Sequence, residues 1–263
     1  MKKILLATAL AVTSLSVFAT TDIAKTQEIQ QIKALEKAES LYKSGNYSQA
    51  FKEFELQAKT NNPQALYNLG VMYEQGQGVK KSDKKAIENF KKSANKGFAP
   101  ANFALGKAYL TGSHGLSKND LLAKNHLTLA SNSGMEIATV GLSEVLLSEN
   151  KEASTKTALN LLSPLVKKGH LDATYLRALY DLKTGKENKD IKSIETGIKA
   201  LESNSMKGHI PSLMALGNFN ATGTFVKKDL LKAKEIFTVL DKAQVPVAKE
   251  LLEEVNKEIS EKK

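Results

Sequence analysis

The sequence has no cysteine and no tryptophan, and only five of its 263 residues are proline. Without cysteine the chain can form no disulfide and can carry no lipid on an N-terminal cysteine. Its stability must therefore come from ordinary burial of apolar side chains. Alternating apolar and polar residues, the pattern typical of strands, are also lacking, and helical periodicity dominates after residue 24.

Arginine is nearly absent, although the chain is basic. Lysine and arginine total 38 against 28 acidic residues, for a net charge of +10, and Arg177 is the single arginine. Reading of bases and two-point gripping of phosphate both favour the planar guanidinium of arginine over the ammonium of lysine. We therefore expect no nucleic-acid partner. A solvated lysine-rich surface explains the charge, and weak attraction to anionic polymers of the cell envelope is the alternative.

Only the N-terminus carries a long apolar run. Lys2 and Lys3 precede an uncharged stretch from Ile4 to Phe18, and Ala19 completes a small-x-small sequence with Val17. This pattern predicts a signal peptide over residues 1–19, cleaved after Ala19. The stretch of fifteen residues is shorter than the ~20 that span a bilayer, which disfavours an uncleaved anchor. We expect a soluble protein without stable membrane insertion, located in the periplasm or, alternatively, secreted.

Three sequence columns recur with the same intervals of 36, 37, 35 and 39 residues, and two of them continue by a further 36. A small residue is followed four positions later by a large apolar one, which places a hole and a knob on one helix face. A third column follows the helix and suits a left-handed terminating residue. The small column is Ala50, Ala86, Ala123, Ala158, Gly197 and Ala233. The large column is Phe54, Phe90, Leu127, Leu162, Leu201 and Phe237. The terminating column is Asn61, Gly97, Gly134, Gly169 and Gly208.

A preceding helix has columns of its own at the same spacing. It begins near Pro63, Pro100 or Pro211 in three units, where a first helical turn tolerates proline. Its columns are Ala65, Ala101, Ala138, Ala173 and Ser212; then Leu69, Leu105, Leu142, Arg177 and Leu216; then Gly70, Gly106, Ser143, Ala178 and Gly217. The last column admits only small side chains, as close helix contact requires. Each unit is therefore predicted to be two antiparallel helices whose apolar faces are buried by neighbouring units.

One unit matches a known repeat signature almost throughout. The pattern A-x-x-x-L-G-x-x-Y-x-x-G-x-G-V-x-x-D-x-x-K-A-x-x-x-F-x-x-A-x-x-x-G resembles the Sel1-like repeat. Here it falls on Ala65, Leu69, Gly70, Tyr73, Gly76, Gly78, Val79, Asp83, Lys85, Ala86, Phe90, Ala94 and Gly97. The next unit and residues 213–237 are similar, whereas units 138–169 and 173–208 lack the Gly-x-Gly-Val loop, which leaves their turns open.

The resemblance divides the chain into four parts. Residues 1–19 form the signal peptide, and residues 20–63 contain a hairpin that resembles a tetratricopeptide repeat. Residues 64–246 form the Sel1-like array, and residues 247–263 provide a C-terminal capping helix predicted over 247–261. The tetratricopeptide-like positions are Ala38, Leu41, Gly45, Tyr47, Ala50 and Phe54, with Pro63 behind them.

The resemblance implies an all-α, right-handed α-solenoid whose concave side binds other proteins. Sel1-like proteins are mostly non-catalytic adaptors, and exported members resemble modulators of cell-wall enzymes or immunity proteins against toxins. We therefore expect a monomeric scaffold, without cofactor, that binds another exported or envelope protein.

The alternative function is a serine-dependent β-lactam or peptidoglycan hydrolase. Ser-x-x-Lys occurs at Ser40, Ser82 and Ser93, and residues 183–185 read Lys-Thr-Gly. That chemistry needs the Lys-Thr-Gly on a strand facing the serine and a Ser-Asp-Asn between them, and the sequence provides neither. His170 and His209 occupy one repeat slot rather than converging, so no metal site is expected.

A partner-binding column is the stronger candidate site. Two residues after each first-helix alanine, or Ser212, stand Tyr67, Phe103, Val140, Tyr175 and Met214. They can form an apolar ladder for a partner helix or peptide, or they can pack between neighbouring helices as core. Arg177 occupies a slot that is leucine in four units. It must turn toward solvent or pair, with Asp181 the expected partner, or it anchors a binding partner.

Overall fold

A computed structural model of the chain describes residues 30 and 32–261. The predicted signal peptide and its cleavage point after Ala19 lie outside these residues. The described part of the chain is all α-helical, with thirteen helices and no strand. The helices are α1 (residues 32–43), α2 (Tyr47–Ala58), α3 (Pro63–Gln75), α4 (Asp83–Ala94), α5 (Ala99–Thr111), α6 (Asp120–Asn132), α7 (Glu136–Ser148), α8 (Glu152–Lys167), α9 (Leu171–Asn188), α10 (Ile191–Met206), α11 (Ile210–Thr222), α12 (Leu230–Lys242) and α13 (Ala248–Glu261).

The described helices fall into two compact units, the first ending at Met135 and the second beginning at Glu136. Unit 1 contains α1 to α6 and unit 2 contains α7 to α13. Within each unit the main contacts join helices that follow each other in the chain, such as α3 with α4 and α9 with α10. This order confirms the prediction of stacked helical hairpins. We call the first helix of each hairpin the A helix (α1, α3, α5, α7, α9 and α11) and the second the B helix (α2, α4, α6, α8, α10 and α12).

The columns of the B helices form the centre of each hairpin. Every alanine of the small column is fully buried, and the large residue four positions later is at most 3% exposed. The small A-helix column lies against these knobs. A β-carbon added to Gly70 would stand 2.5 Å from Cε1 of Phe90, and one added to Gly217 would stand 2.6 Å from Cε1 of Phe237. The structure therefore confirms that the column must be small because a bulky ring is packed on it.

The helix ends also follow the repeat. Asn61, Gly97, Gly134, Gly169 and Gly208 all have positive φ, as their column predicts, and Gln244 with φ 56° extends the column by one member. Pro63, Pro100 and Pro211 lie in the first turns of α3, α5 and α11. His170 and His209 hold the N-cap positions of α9 and α11, where each ring accepts a backbone N–H. The shared slot of these histidines is thus a capping slot.

The A-to-B connections are of two kinds. In α3–α4, α5–α6 and α11–α12 the A helix ends at a left-handed glycine (Gly76, Gly112 or Gly223), and a loop of several residues follows. In α7–α8 the connection is only residues 149–151, and in α9–α10 it is residues 189–190. Helix α9 is correspondingly long, with 18 residues where α3, α5 and α11 have 13.

Candidate functional site

The tyrosines of the predicted binding column pack between successive hairpins and remain partly exposed. The Tyr67 ring lies 5.5 Å from the rings of Phe90 and Phe98, centroid to centroid. The Tyr175 ring lies 5.4 Å from that of His209. Phe98 and His209 are the N-cap residues of the next A helices, α5 and α11. Each tyrosine therefore contributes to the core on one side while part of its surface remains available to a partner.

The other three members of the column are also partly buried. Val140 packs against the cluster of Leu162 and Ala173, and Met214 packs against the cluster around Phe237. Phe103 has the ammonium of Lys107 5.9 Å from its ring centroid. The two residues lie one helical turn apart on α5, and the lysine places a cation over the face of the ring. Whether the column binds a partner stays a prediction, since its members contact the core and solvent alike.

Arg177 pairs as expected. Its Nε lies 2.8 Å and 3.0 Å from the two carboxylate oxygens of Asp181, one turn further along α9. The arginine side chain is 41% exposed and the aspartate side chain 16%. The leucine slot is thus filled by the aliphatic stem of an arginine whose charged end reaches a neighbouring carboxylate. A role for Arg177 as a partner anchor stays a prediction.

A cleft in unit 1 lies between the two A helices α1 and α3. We call it the unit-1 cleft; its volume is about 260 Å³, and it is lined by Glu39, Tyr42, Lys43, Phe54, Tyr67, Asn68 and Val71. The floor is apolar and aromatic, whereas the edge carries one carboxylate, one ammonium and one amide. Such a mixture of apolar floor and sparse polar groups is typical of recognition sites.

Hydrogen bonds hold the walls of the unit-1 cleft. The Gln64 amide donates to the Glu39 carboxylate, which ties α3 to α1. The Tyr42 hydroxyl donates to Oε1 of Gln77 at 2.6 Å. Burial raises the pKa of Tyr67 above its ordinary value, and the charge of Glu74 and the neighbouring Tyr42 raise it further. Tyr67 is therefore a neutral hydrogen-bonding group at the floor of the cleft at any physiological pH.

A larger groove lies in unit 2, between α9 and the α7–α8 turn. We call it the unit-2 groove; its volume is about 520 Å³. It is lined by Leu147, Ser148, Asn150, Lys151, Glu152, Thr155, Leu176, Leu179, Tyr180, Lys183, Thr184 and Glu187. Leu147 and Leu176 also pack on the cluster of Leu162, Leu165 and Ala173, so the floor of the groove is continuous with the core. The Lys183 ammonium donates to Oδ1 of Asn150 at 3.1 Å across one end.

Two of the three serines of the alternative hydrolase have structural roles. Ser82 is the N-cap of α4, and its hydroxyl accepts the N–H of Lys85. Ser93 is fully buried and donates to the carbonyl of Pro63 at 2.6 Å. Ser40 is exposed on α1, and the Lys-Thr-Gly of residues 183–185 lies within α9 rather than on a strand. The described residues do not assemble the geometry that this chemistry needs.

Potential metal ligands and membrane-spanning helices were sought among the described residues. Within residues 30 and 32–261, no group of three or more histidine, aspartate or glutamate side chains could hold an ion. No helix among those residues is long and apolar enough to cross a membrane. His126 packs flat on Tyr109, with ring centroids 5.7 Å apart, and its Nδ1 lies 2.9 Å from Oδ1 of the buried Asn102.

Sequence reasoning missed most of the residues that line the two openings. Val71 and Leu179 stand one helical turn after Tyr67 and Tyr175, so the face of the predicted column extended by four residues would have included them. Tyr42 lies on α1, where the tetratricopeptide-like columns mark only core positions. The unit-2 groove had a signal too, because the sequence shows that the loop is missing from the two central hairpins.

Comparisons with known proteins agree with the repeat architecture. A model of the Sel1 repeat matches residues 63–98, 99–135 and 210–238, which are the hairpins α3–α4, α5–α6 and α11–α12. No curated protein sequence matches the chain significantly.

Two solved structures share this fold. A protective antigen of uropathogenic Escherichia coli displaying an SLR fold is 22% identical with a TM-score of 0.69; the match covers 87% of this chain and 49% of that one. The chain thus spans about half the length of that protein. A Sel1 repeat protein from Oxalobacter formigenes is 24% identical with a TM-score of 0.64, over 81% of this chain and 86% of that one. An immunity protein from Pseudomonas aeruginosa, at 15% identity, a TM-score of 0.44 and coverage of 83% and 82%, is too distant to carry an argument. The first two likenesses show an all-α repeat fold.

Proposed function

Because this chain carries three Sel1 repeats within an all-α repeat fold, we propose that it is a non-catalytic scaffold that binds another exported protein in the bacterial periplasm. Sel1 repeat proteins generally act as scaffolds for protein–protein interaction, and the family is generally non-catalytic. The proposed binding surface is the A-helix face of each unit, the face for which the repeat resemblance led us to expect a partner. The partner is a cell-wall enzyme that the scaffold modulates, or a toxin that it neutralises.

The unit-1 cleft is the observation that carries this proposal. It combines the rings of Tyr42 and Tyr67 with the side chains of Val71 and Phe54, and it has a polar edge. Tyrosine buries a large area at low entropic cost and is enriched where proteins bind tightly. The walls are already held by hydrogen bonds between α1, α3 and the following loop, so binding requires little reorganisation.

The N-terminal sequence supports export. Lys2 and Lys3, the apolar run to Phe18 and the small residues at positions 17 and 19 form the pattern of a cleaved signal peptide. The absence of cysteine is compatible with an oxidising compartment, because no thiol is present to be oxidised. The periplasm is the compartment that we propose, with secretion into the medium as the alternative.

Capture of the partner tests the proposal. The full chain is expressed with a C-terminal tag in the periplasm of a bacterium, cross-linked in the cell and purified, and the captured proteins are identified by mass spectrometry. Val71→Glu places a charge in the unit-1 cleft, whereas Leu129→Glu places the same charge on the outer face of α6, where Leu129 is 54% exposed. We expect Val71→Glu to reduce capture of a specific envelope protein and Leu129→Glu to leave it unchanged.

Two results would contradict the proposal. Loss of capture with Leu129→Glu but not with Val71→Glu would place the partner on the B-helix face. Turnover of nitrocefin or of muropeptides that Ser40→Ala abolishes would make the protein an enzyme.

A further inference from the structure

The three longer A-to-B loops each fold back onto the preceding hairpin. In α3–α4, Gln77 accepts a hydrogen bond from Tyr42 of α1 at 2.6 Å. In α5–α6, Nε2 of His114 lies 2.7 Å from the Glu74 carboxylate of α3. In α11–α12, the ring of Phe225 has Lys186 of α9 5.7 Å from its centroid. The loop therefore covers the end of the preceding hairpin in every case where it is present.

An apolar side chain accompanies each of these contacts. Val79 packs on the cluster of Ala50, Phe54 and Leu69, and Leu116 packs on the cluster around Phe90. Phe225 packs on the cluster around Leu201 and lies 4.8 Å from the ring of Phe219. These three residues are all apolar, although they differ in size and the loops differ in sequence. In each case an apolar side chain of the loop packs on the core of the neighbouring helices.

The α9–α10 hairpin lacks such a loop, so no loop covers the end of the preceding α7–α8 hairpin. Its A helix continues without a break to Asn188, and Lys189 and Asp190 then lead directly into α10. The unit-2 groove opens at the corresponding place, between the α7–α8 turn and α9. Its volume of about 520 Å³ lies within the ~300–1,000 Å³ typical of ligand sites. The groove therefore lies where the other hairpins place a loop.

We propose that the unit-2 groove is the docking site for an extended segment of a partner protein, which inserts one large, uncharged apolar side chain where the missing loop would have placed its own. This proposal rests on the proposed function and identifies the part of the partner that is recognised. The inserted side chain of the partner contacts Leu147, Leu176 and Leu179. The polar side chains at the edge of the groove form hydrogen bonds with the main chain of the partner segment.

The charges of the groove favour this occupant over an anionic polymer. The lining contains Lys151 and Lys183 but also Glu152 and Glu187, so it is neutral although the whole chain has a net charge of +10. Lys183 is in addition hydrogen-bonded to Asn150. A polyanion gains no net attraction from a neutral lining, whereas an apolar residue can contact three leucines and the Tyr180 ring.

The chain's own loop provides the probe. A fluorescein-labelled peptide of residues 220–229, which contains Phe225, is titrated with the full-length protein and its fluorescence polarisation is measured. The matched control peptide carries Phe225→Ser and needs no protein variant. Two protein variants change the groove: Leu179→Ser removes part of its floor, and Thr155→Trp fills it. Met206→Ser changes a residue that is 82% exposed outside the groove.

We expect saturable binding of the Phe225 peptide and at least about tenfold weaker binding of the serine peptide. Leu179→Ser and Thr155→Trp should each weaken binding by a similar factor, and Met206→Ser should not change it. Absence of saturable binding up to about 1 mM would overturn the proposal. So would equal affinity for both peptides, or full affinity in the Thr155→Trp protein with an unchanged circular-dichroism spectrum.

Two further outcomes separate this inference from the proposed function. If Thr155→Trp captures the envelope partner as well as the parent does, the groove inference fails and the scaffold function stands. If sedimentation shows self-association that Thr155→Trp abolishes, the occupant is a second copy of the chain, which contradicts docking of another protein. If the peptide binds but no partner protein is captured, the groove is supported as a docking site and the proposed scaffold function is contradicted.

Discussion

The contact between Gly70 and Phe90 predicts that Gly70→Ala destabilises the parent protein but stabilises a protein that lacks the Phe90 ring. Alanine in place of a helical glycine normally stabilises a helix by about 0.8–1.0 kcal/mol. At Gly70 the new β-carbon would stand 2.5 Å from Cε1 and 2.6 Å from Cδ1 of Phe90. Because these distances are too short for carbon atoms, the ring or the helix must shift. Overpacking of a core costs about 1–3 kcal/mol, and the better helix propensity of alanine offsets about 1 kcal/mol of that cost. Gly70→Ala should therefore lower the free energy of unfolding by up to about 2 kcal/mol.

The clash disappears when the ring is removed. Phe90→Ala alone should cost about 3–5 kcal/mol, because Phe90 is 3% exposed and leaves a cavity. In that background Gly70→Ala meets no ring, although its β-carbon still stands 3.2 Å from the carbonyl oxygen of Ala86, and it should raise the free energy of unfolding by up to about 1 kcal/mol. The two substitutions are therefore coupled by about 1–3 kcal/mol, the cost of the overpacking itself, which is within the range for residues in contact.

Urea unfolding followed by circular dichroism at 222 nm measures all four proteins of this cycle. The equivalent pair in unit 2, Gly217 and Phe237, should give a coupling of the same sign. If Gly70→Ala stabilises the parent and the Phe90→Ala protein equally, the glycine is only a weak helix former. The interlocking of A and B helices inferred here would then be refuted.

Three further predictions concern a helix end, a histidine and the N-terminus. Gln244 has φ 56°, and because a left-handed non-glycine residue costs about 1–2 kcal/mol, Gln244→Gly should raise the free energy of urea unfolding by about 0.5–1 kcal/mol; a decrease would contradict this. Burial and the charge of Lys91 lower the pKa of His126, so the stability that its neutral form provides is complete above the unfolded pKa of about 6.5 and is lost as pH falls through the folded pKa. The thermal midpoint of the parent should therefore fall more between pH 7.5 and 5 than that of His126→Gln, and parallel curves would show that His126 does not contribute. The intact mass of exported protein should correspond to a chain that begins at Thr20, and a mass that retains Lys2 and Lys3 would contradict cleavage.

The repeat columns predicted the core because each column reports one steric requirement. The spacing of four residues between Ala86 and Phe90 places them on the same helix face. The five glycine or asparagine positions mark five helix ends. Gln244 was not included in the terminating column because glutamine, unlike glycine and asparagine, does not indicate a left-handed conformation. The division between Met135 and Glu136 was not predicted either, because the repeat columns continue across it.

The candidate site could be predicted only in part. A column such as Tyr67 and Tyr175 shows which residues share a helix face, but the same apolar side chain suits a core and an interface. The structure shows that each ring packs against the next N-cap residue and is still partly exposed. For the unit-2 groove the sequence shows only that the loop is missing from the α9–α10 hairpin. Which side chains line the space, and its volume of about 520 Å³, follow from the structure.

Hydroxyl-radical footprinting of the protein, free and cross-linked to its captured partner, tests most directly whether the A-helix faces are the binding surface. The account predicts that binding slows side-chain oxidation of Tyr67 in unit 1 and of Tyr180 in unit 2. Oxidation of Leu129 and Met206, which are 54% and 82% exposed away from these faces, should stay the same. Protection of Leu129 and Met206 with unchanged oxidation of both tyrosines would contradict the account.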